Sequence, residues 1–218
     1  MRQFELRPRL SLALAVVAAL ALTWFLQTRP PPAKALRLTP VVESVLADPG
    51  SPRLGAEAPD VVIVVFTDYR CPICRKTAPA LDRLLASDPG VRVVYKDWPI
   101  LGEQSRAGAR IALAAHRLGG YARMHHALMT DPGPLSIDAA PRLAERAGLD
   151  AEALNTALAD GSEAIDLQLN RHRAQAFALG LQGTPAYLVG PYLVQGGLDD
   201  RKLAAMVARA RKTGPPKS

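Results

Sequence analysis

Apolar positions along this chain fall into two regimes. Leu10 to Gln27 (LSLALAVVAALALTWFLQ) runs without a single charge, whereas beyond it short β-branched runs alternate with stretches of helical spacing. Val61 to Phe66 (VVIVVF) is a continuous β-branched run, the pattern of a strand covered on both faces. From Pro72 the apolar spacing turns helical through Ile73, Ala78, Leu81, Leu84 and Leu85, and it ends at the turn signal Asp88-Pro89-Gly90. Val91 to Tyr95 (VRVVY) predicts a second strand.

Helices are then predicted over 103–118, 121–129, 137–146, 151–159 and 162–179, the last stopped by Gly180. Ala186 to Val189 and Tyr192 to Gln195 read as a hairpin about Gly190-Pro191, and Asp199 to Lys212 as a closing helix capped by Asp199 or Asp200. Upstream, Thr39 to Asp48 predicts a short helix with Thr39 as N-cap and Pro40 in its first turn. The order is β-α-β, a helical block, then β-β-α. It predicts a mixed α/β sheet with helices on both faces and the helical block, about 103–180, as an insertion.

The uncharged run fits an export segment. About 18 apolar residues lie near the lower limit for spanning a bilayer. Residues 1–9 read as a cytoplasmic n-region, 10–27 as a transmembrane anchor or signal peptide, and 28–59 as a linker with the short helix. The main domain is expected over 60–212, and 213–218 as a frayed tail. An A-x-A site at Ala19-Leu20-Ala21 sits inside the apolar run rather than after it, which favours a retained anchor over cleavage. Trp24 and Phe25 suit a membrane interface. Pro30-Pro31-Pro32 would act as a semi-rigid spacer.

With 218 residues, 49% of them hydrophobic, the chain can bury a full core. The formal net charge of +7 is scattered, with no dense Lys/Arg run interleaved with aromatics, so nucleic acid is not an expected partner.

There are only two cysteines, Cys71 and Cys74, two residues apart. Closing so short a loop gains roughly 2 kcal/mol, against nearly 5 for a 100-residue loop, which argues against a structural staple. A zinc site could draw on His125, His126 and His172 but lacks a second C-x-x-C or an H-x₃₋₅-H pattern, so no metal and no cofactor is expected; His125 and His126 read as packed or solvated. Redox catalysis fits best. The strand–loop–helix order puts Cys71 at a helix N-terminus, where free N–H groups and the dipole favour its thiolate. Pro72 is preset for the first turn, and Cys74 follows almost one turn later as the resolving thiol, with Ile73 between them.

The stretch Phe66-Thr67-Asp68-Tyr69-Arg70-Cys71-Pro72-Ile73-Cys74-Arg75-Lys76, the segment Tyr95-Lys96-Asp97-Trp98-Pro99-Ile100-Leu101-Gly102 and the segment Gly183-Thr184-Pro185-Ala186 together resemble the DsbA-like branch of the thioredoxin superfamily. The resemblance covers about Leu46 to Arg211. It implies a thioredoxin fold with a helical insertion, preceded here by the N-terminal transmembrane helix. It also implies a cis Thr184-Pro185 bond beside the cysteines, where a client segment binds, and a protein-disulfide oxidoreductase of the bacterial cell envelope. The catalytic domain would lie on the periplasmic side of the inner membrane, exchange disulfides with exported proteins and be reset by a membrane redox partner. Two positions depart from the family. An acid six residues before the first cysteine is replaced by Val65, so Asp68, Asp97 or a water would have to serve. The third residue of the C-x-x-C motif is Ile73 rather than His, which should make the disulfide less oxidising. A non-catalytic envelope module such as a copper chaperone is the competing reading; it would want Met or His near Cys71.

Overall fold

The computed structural model describes residues 6–28 and 31–216, with side chains in the N-terminal helix from Ser11 to Thr23. That helix, α1, spans Leu6–Thr28. Among the described residues no helix is long and apolar enough to cross a membrane. The side chains of Trp24 and Phe25, together with residues 1–5, 29–30 and 217–218, lie outside the described residues, and so do the expectations that fall on them.

Beyond α1 the chain forms β1 (Lys34–Ala35), α2 (Pro40–Ala47), β2 (Arg53–Gly55), β3 (Val61–Thr67), α3 (Pro72–Ser87) and β4 (Val91–Asp97). The helical block follows as α4 (Glu103–Arg117), α5 (Tyr121–Thr130), a 3-10 turn at Ile137–Ala139, α6 (Ala140–Arg146), α7 (Ala151–Asp160) and α8 (Ser162–Ala178). Strands β5 (Ala186–Val189) and β6 (Tyr192–Gln195) and helix α9 (Asp200–Thr213) close the fold. The described strands make one sheet in the order β1-β6-β5-β3-β4-β2. Only β3 and β4 run parallel to each other; the other pairs are antiparallel.

The β-branched run is uninterrupted because both faces of β3 are covered. Val61, Ile63 and Val65 join one core with α3, α9 and the helical block, while Val64 and Phe66 join a second with α2 and the end of α8. Thr39 caps α2 as expected, its hydroxyl accepting from the Val42 N–H at 3.3 Å. The expected linker 28–59 does more than connect. It supplies both edge strands, β1 against β6 and β2 against β4. Pieces of two and three residues carry too little periodicity to show in sequence.

Strand β4 runs two residues past the expected Tyr95, through Lys96 and Asp97, because each of these charges has buried company. The Lys96 ammonium meets Asp48 at 2.9 Å, and both side chains are fully buried. Gln168, Gln175 and Arg171 of α8 also bond to Asp48. Burial opposes ionisation of Asp48, but Lys96 and Gln168 outweigh it and hold the carboxyl well below the ordinary range. His172 completes this knot, its Nδ1 3.0 Å from the Asp97 carbonyl and its Nε2 3.0 Å from the Ser51 hydroxyl. The knot fastens α2 and α8 to the end of β4 that lies beside Phe66 and Thr67, from which the chain runs on to the cysteines.

Candidate active site

Strand β3 ends at Thr67, and the next four residues turn the chain into α3. Asp68 holds this turn. Its carboxylate accepts from the Arg70 N–H (2.7 Å), the Ser105 hydroxyl (2.7 Å) and the N–H groups of Ile100 (2.8 Å) and Leu101 (3.1 Å). One side chain therefore binds the loop before the cysteines to the loop after β4 and to the start of α4. With both oxygens occupied, Asp68 braces these three segments against one another.

Cys71 is the N-cap of α3, and its sulfur accepts from the Cys74 N–H at 3.4 Å. Pro72 opens the helix, as its fixed φ and missing N–H allow. The Cys71 thiol donates to the Thr184 carbonyl at 3.3 Å. Thr184-Pro185 is a cis peptide. Cys71, Pro72, Cys74, Thr184 and Pro185 are thus brought together as expected. Ile73 stands half-exposed on the rim. Gly197, which the sequence reading did not single out, packs against that first turn: a Cβ there would lie 2.8 Å from Ile73 and 2.9 Å from Thr77. The segment after β6 can approach α3 this closely only as glycine.

The two sulfurs differ in environment. Cys71 is 6% exposed and Cys74 2%. Burial pushes the Cys74 thiol up to about 12, against the lowering effect of the Asp68 N–H and the Thr184 and Thr67 hydroxyls. The Thr184 hydroxyl has no partner of its own. A thiol sulfur is a weak acceptor and a thiolate a strong one, so this hydroxyl favours the ionised form of Cys74.

Behind the turn lies a second buried set that sequence reasoning named only in pieces. Asp97 accepts through Oδ1 from the Tyr69 (2.9 Å) and Tyr121 (3.0 Å) hydroxyls, while its Oδ2 has no partner. Burial raises its carboxyl to about 7, although the two tyrosines lower it. His125 sits 3.0 Å from the Tyr69 hydroxyl and stacks on Tyr121, and burial pushes its imidazole down to about 3. The two candidate histidines of α5 therefore part ways: His125 is packed, and His126 is exposed near Asp82. Gly108 lets α4 close over this set, since a Cβ there would lie 3.2 Å from Tyr69. Its signal in the sequence is Asp97, an acid two residues beyond the apolar run that ends at Tyr95.

In this chain a buried cysteine pair thus stands at a helix start beside a cis proline. A family model described as a DSBA-like thioredoxin domain matches residues 62–207. The chain belongs to this family. A thioredoxin-like oxidoreductase from Silicibacter pomeroyi DSS-3 is 39% identical, with a TM-score of 0.72, 78% of this chain and 97% of that one covered. The thiol-disulfide exchange protein alpha-DsbA2 from Wolbachia pipientis is 28% identical, TM-score 0.72, with 77% and 90% covered. A periplasmic thioredoxin-like protein from Salmonella enterica serovar Typhimurium is 29% identical, TM-score 0.68, with 81% and 99% covered. Among curated proteins, a Na(+)/H(+) antiporter NhaA 1 of Salinispora arenicola is 28% identical over 214 residues, covering 93% of this chain but 32% of that protein. The chain thus spans about a third of that relative's length. This DsbA-like chain has the thioredoxin fold.

Proposed function

We propose that this protein exchanges disulfides with exported proteins through Cys71 and Cys74. The observation that carries the reading is the Cys71 sulfur itself, capped by the Cys74 N–H and set against the Thr184 carbonyl. In the reducing direction the Cys71 thiolate attacks a client disulfide. A bond forms between Cys71 and one client sulfur, and the second client sulfur leaves as a thiolate and takes up a proton. Cys74, deprotonated, then attacks Cys71, forms the Cys71–Cys74 disulfide and releases the first client sulfur. Two electrons pass to the client, and the reverse sequence oxidises it. Thr184 and Pro185 hold the client segment beside Cys71, where the backbone just ahead of β5 suits pairing by strand addition.

In this reading the protein works in the bacterial envelope, anchored through residues 10–27 in the inner membrane with the catalytic domain outside the cytoplasm. A membrane redox partner returns the pair to its working state. Support for the anchor is the sequence alone, the uncharged run Leu10 to Gln27. Support for the compartment is the periplasmic relative. The antiporter activity named for the longer relatives is not carried to this chain.

The test is reduction of a disulfide protein by wild type, Cys71→Ser and Cys74→Ser. Wild type should turn over, Cys71→Ser should be inactive, and Cys74→Ser should accumulate a client bound to Cys71 that a reductant releases. Full activity in Cys71→Ser overturns the reading.

A further inference from the structure

Between the loop after β4 and the second half of α8 lies a cleft of about 290 Å³ that the exchange steps above do not use. Its walls are aromatic and apolar. Trp98 packs edge-to-face on Phe177 with ring centres 5.9 Å apart, and Phe177 and Ile100 remain 59% and 41% exposed. Two guanidinium groups, Arg106 and Arg173, line the same cleft, Arg173 lying 5.5 Å above the Phe177 ring. No acidic side chain lines it, and among the described residues neither arginine meets a carboxylate. Elsewhere carboxylates are spent on arginines freely: Arg83 on Asp200, Arg142 on Asp131, and Arg211 on both Asp60 and Asp88. Two unneutralised cations beside low-dielectric walls attract an anion, and the planar guanidinium fork matches a carboxylate.

The cleft is tied to the cysteines. Asp68, whose carbonyl accepts from the Cys71 N–H at 3.2 Å, grips Ile100 and also Ser105, the neighbour of Arg106. Resting on the exchange reading above, we propose that this cleft takes the Asp or Glu side chain of the client segment engaged at Cys71. It would thereby select clients with an acidic residue near the reacting cysteine. An apolar stem would lie on Phe177 and Trp98, and its carboxylate would bridge Arg106 and Arg173.

The test uses short fluorescent peptides carrying one cysteine flanked by Glu, or by Gln at the same positions. Binding is read by anisotropy on Cys71→Ser protein, so it does not depend on exchange. The Glu peptide should bind about tenfold tighter at low salt, with the difference shrinking at high salt. The exposed double variant Arg106→Gln/Arg173→Gln should abolish the difference. Exchange with bis(2-hydroxyethyl) disulfide, which is small and uncharged, should be the same with and without the arginines. Equal binding of both peptides, or a preference that survives the double variant, overturns the proposal. So does loss, in the double variant, of binding to phosphatidylglycerol vesicles with the peptide preference unchanged, since the anion would then be a lipid headgroup. Failure of the small disulfide to exchange with wild type would instead count against the exchange reading, while the binding difference would still decide the cleft.

Discussion

The Cys71 thiol donates to the backbone carbonyl of Thr184 across 3.3 Å and 113 residues of sequence. That bond brings the Thr184 side chain into the active site as well, where its hydroxyl is buried and unpartnered beside Cys74. Thr184→Val keeps the shape and removes the hydroxyl. Relief of an unpaired buried donor should raise stability by about 1 kcal/mol, read as a shift in urea midpoint. The same change should slow release of a mixed disulfide by Cys74, because its thiolate loses a donor. A variant that is stabilised yet resolves at the wild-type rate would show that the hydroxyl serves neither sulfur.

The burial of Cys74 has a kinetic consequence of its own. With its thiol pushed up to about 12, the thiolate fraction grows tenfold per pH unit throughout the accessible range. The resolving step, followed in single turnovers from a preformed Cys71 mixed disulfide, should accelerate by about tenfold per unit from pH 6 to 9 without levelling. A plateau below pH 8 would mean that another group takes the proton.

Asp97 is the nearest thing to the acid missing at Val65, and its effect on stability has a definite sign. Its carboxyl is raised from 3.8 to about 7, so between these values the native state holds more protons than the unfolded chain. Stability from this group is therefore full below about pH 4 and is lost as pH rises to about 7. Asp97→Asn keeps an acceptor for Tyr69 and Tyr121 but cannot ionise. Between pH 5 and 8 the variant should gain on wild type by up to about 3 kcal/mol in urea unfolding. His125 and His172, neutral in both folded proteins over this range, cancel from the difference.

These groups also mark where the sequence could be read and where it could not. The strands, helices and cysteine site follow from local pattern: VVIVVF, the Asp88-Pro89-Gly90 stop, Pro72 after Cys71. Local pattern stops the strand Val91–Asp97 at Tyr95 because Lys96 and Asp97 look like a strand end. Their partners, Asp48 and the Tyr69–Tyr121 pair, lie far away in the chain, and no local rule exposes a charge that is paid for by distant side chains. Asp48 itself reads as one more turn residue before Pro49-Gly50. His172 reads as a spare histidine until α8 lays it on the Asp97 carbonyl. Gly197 gives no sign that it touches Ile73.

The Lys96–Asp48 pair yields the last prediction, and an asymmetric one. Both side chains are fully buried. Lys96 has Asp48 as its one hydrogen-bond partner among the described side chains, so Asp48→Ala strands an ammonium group in the interior. Asp48 is better provided. Without Lys96 it would still accept from Gln168, Gln175, Arg171 and the Gly50 N–H. Asp48→Ala should therefore cost about 3–5 kcal/mol, and Lys96→Met clearly less, since Met also refills most of the volume. The double variant should be more stable than Asp48→Ala alone, because removing the lysine removes the stranded charge. Urea unfolding of all four proteins gives the coupling energy directly. If Lys96→Met proves the costlier single change, the lysine carries more of the α2–β4 join than its one bond implies.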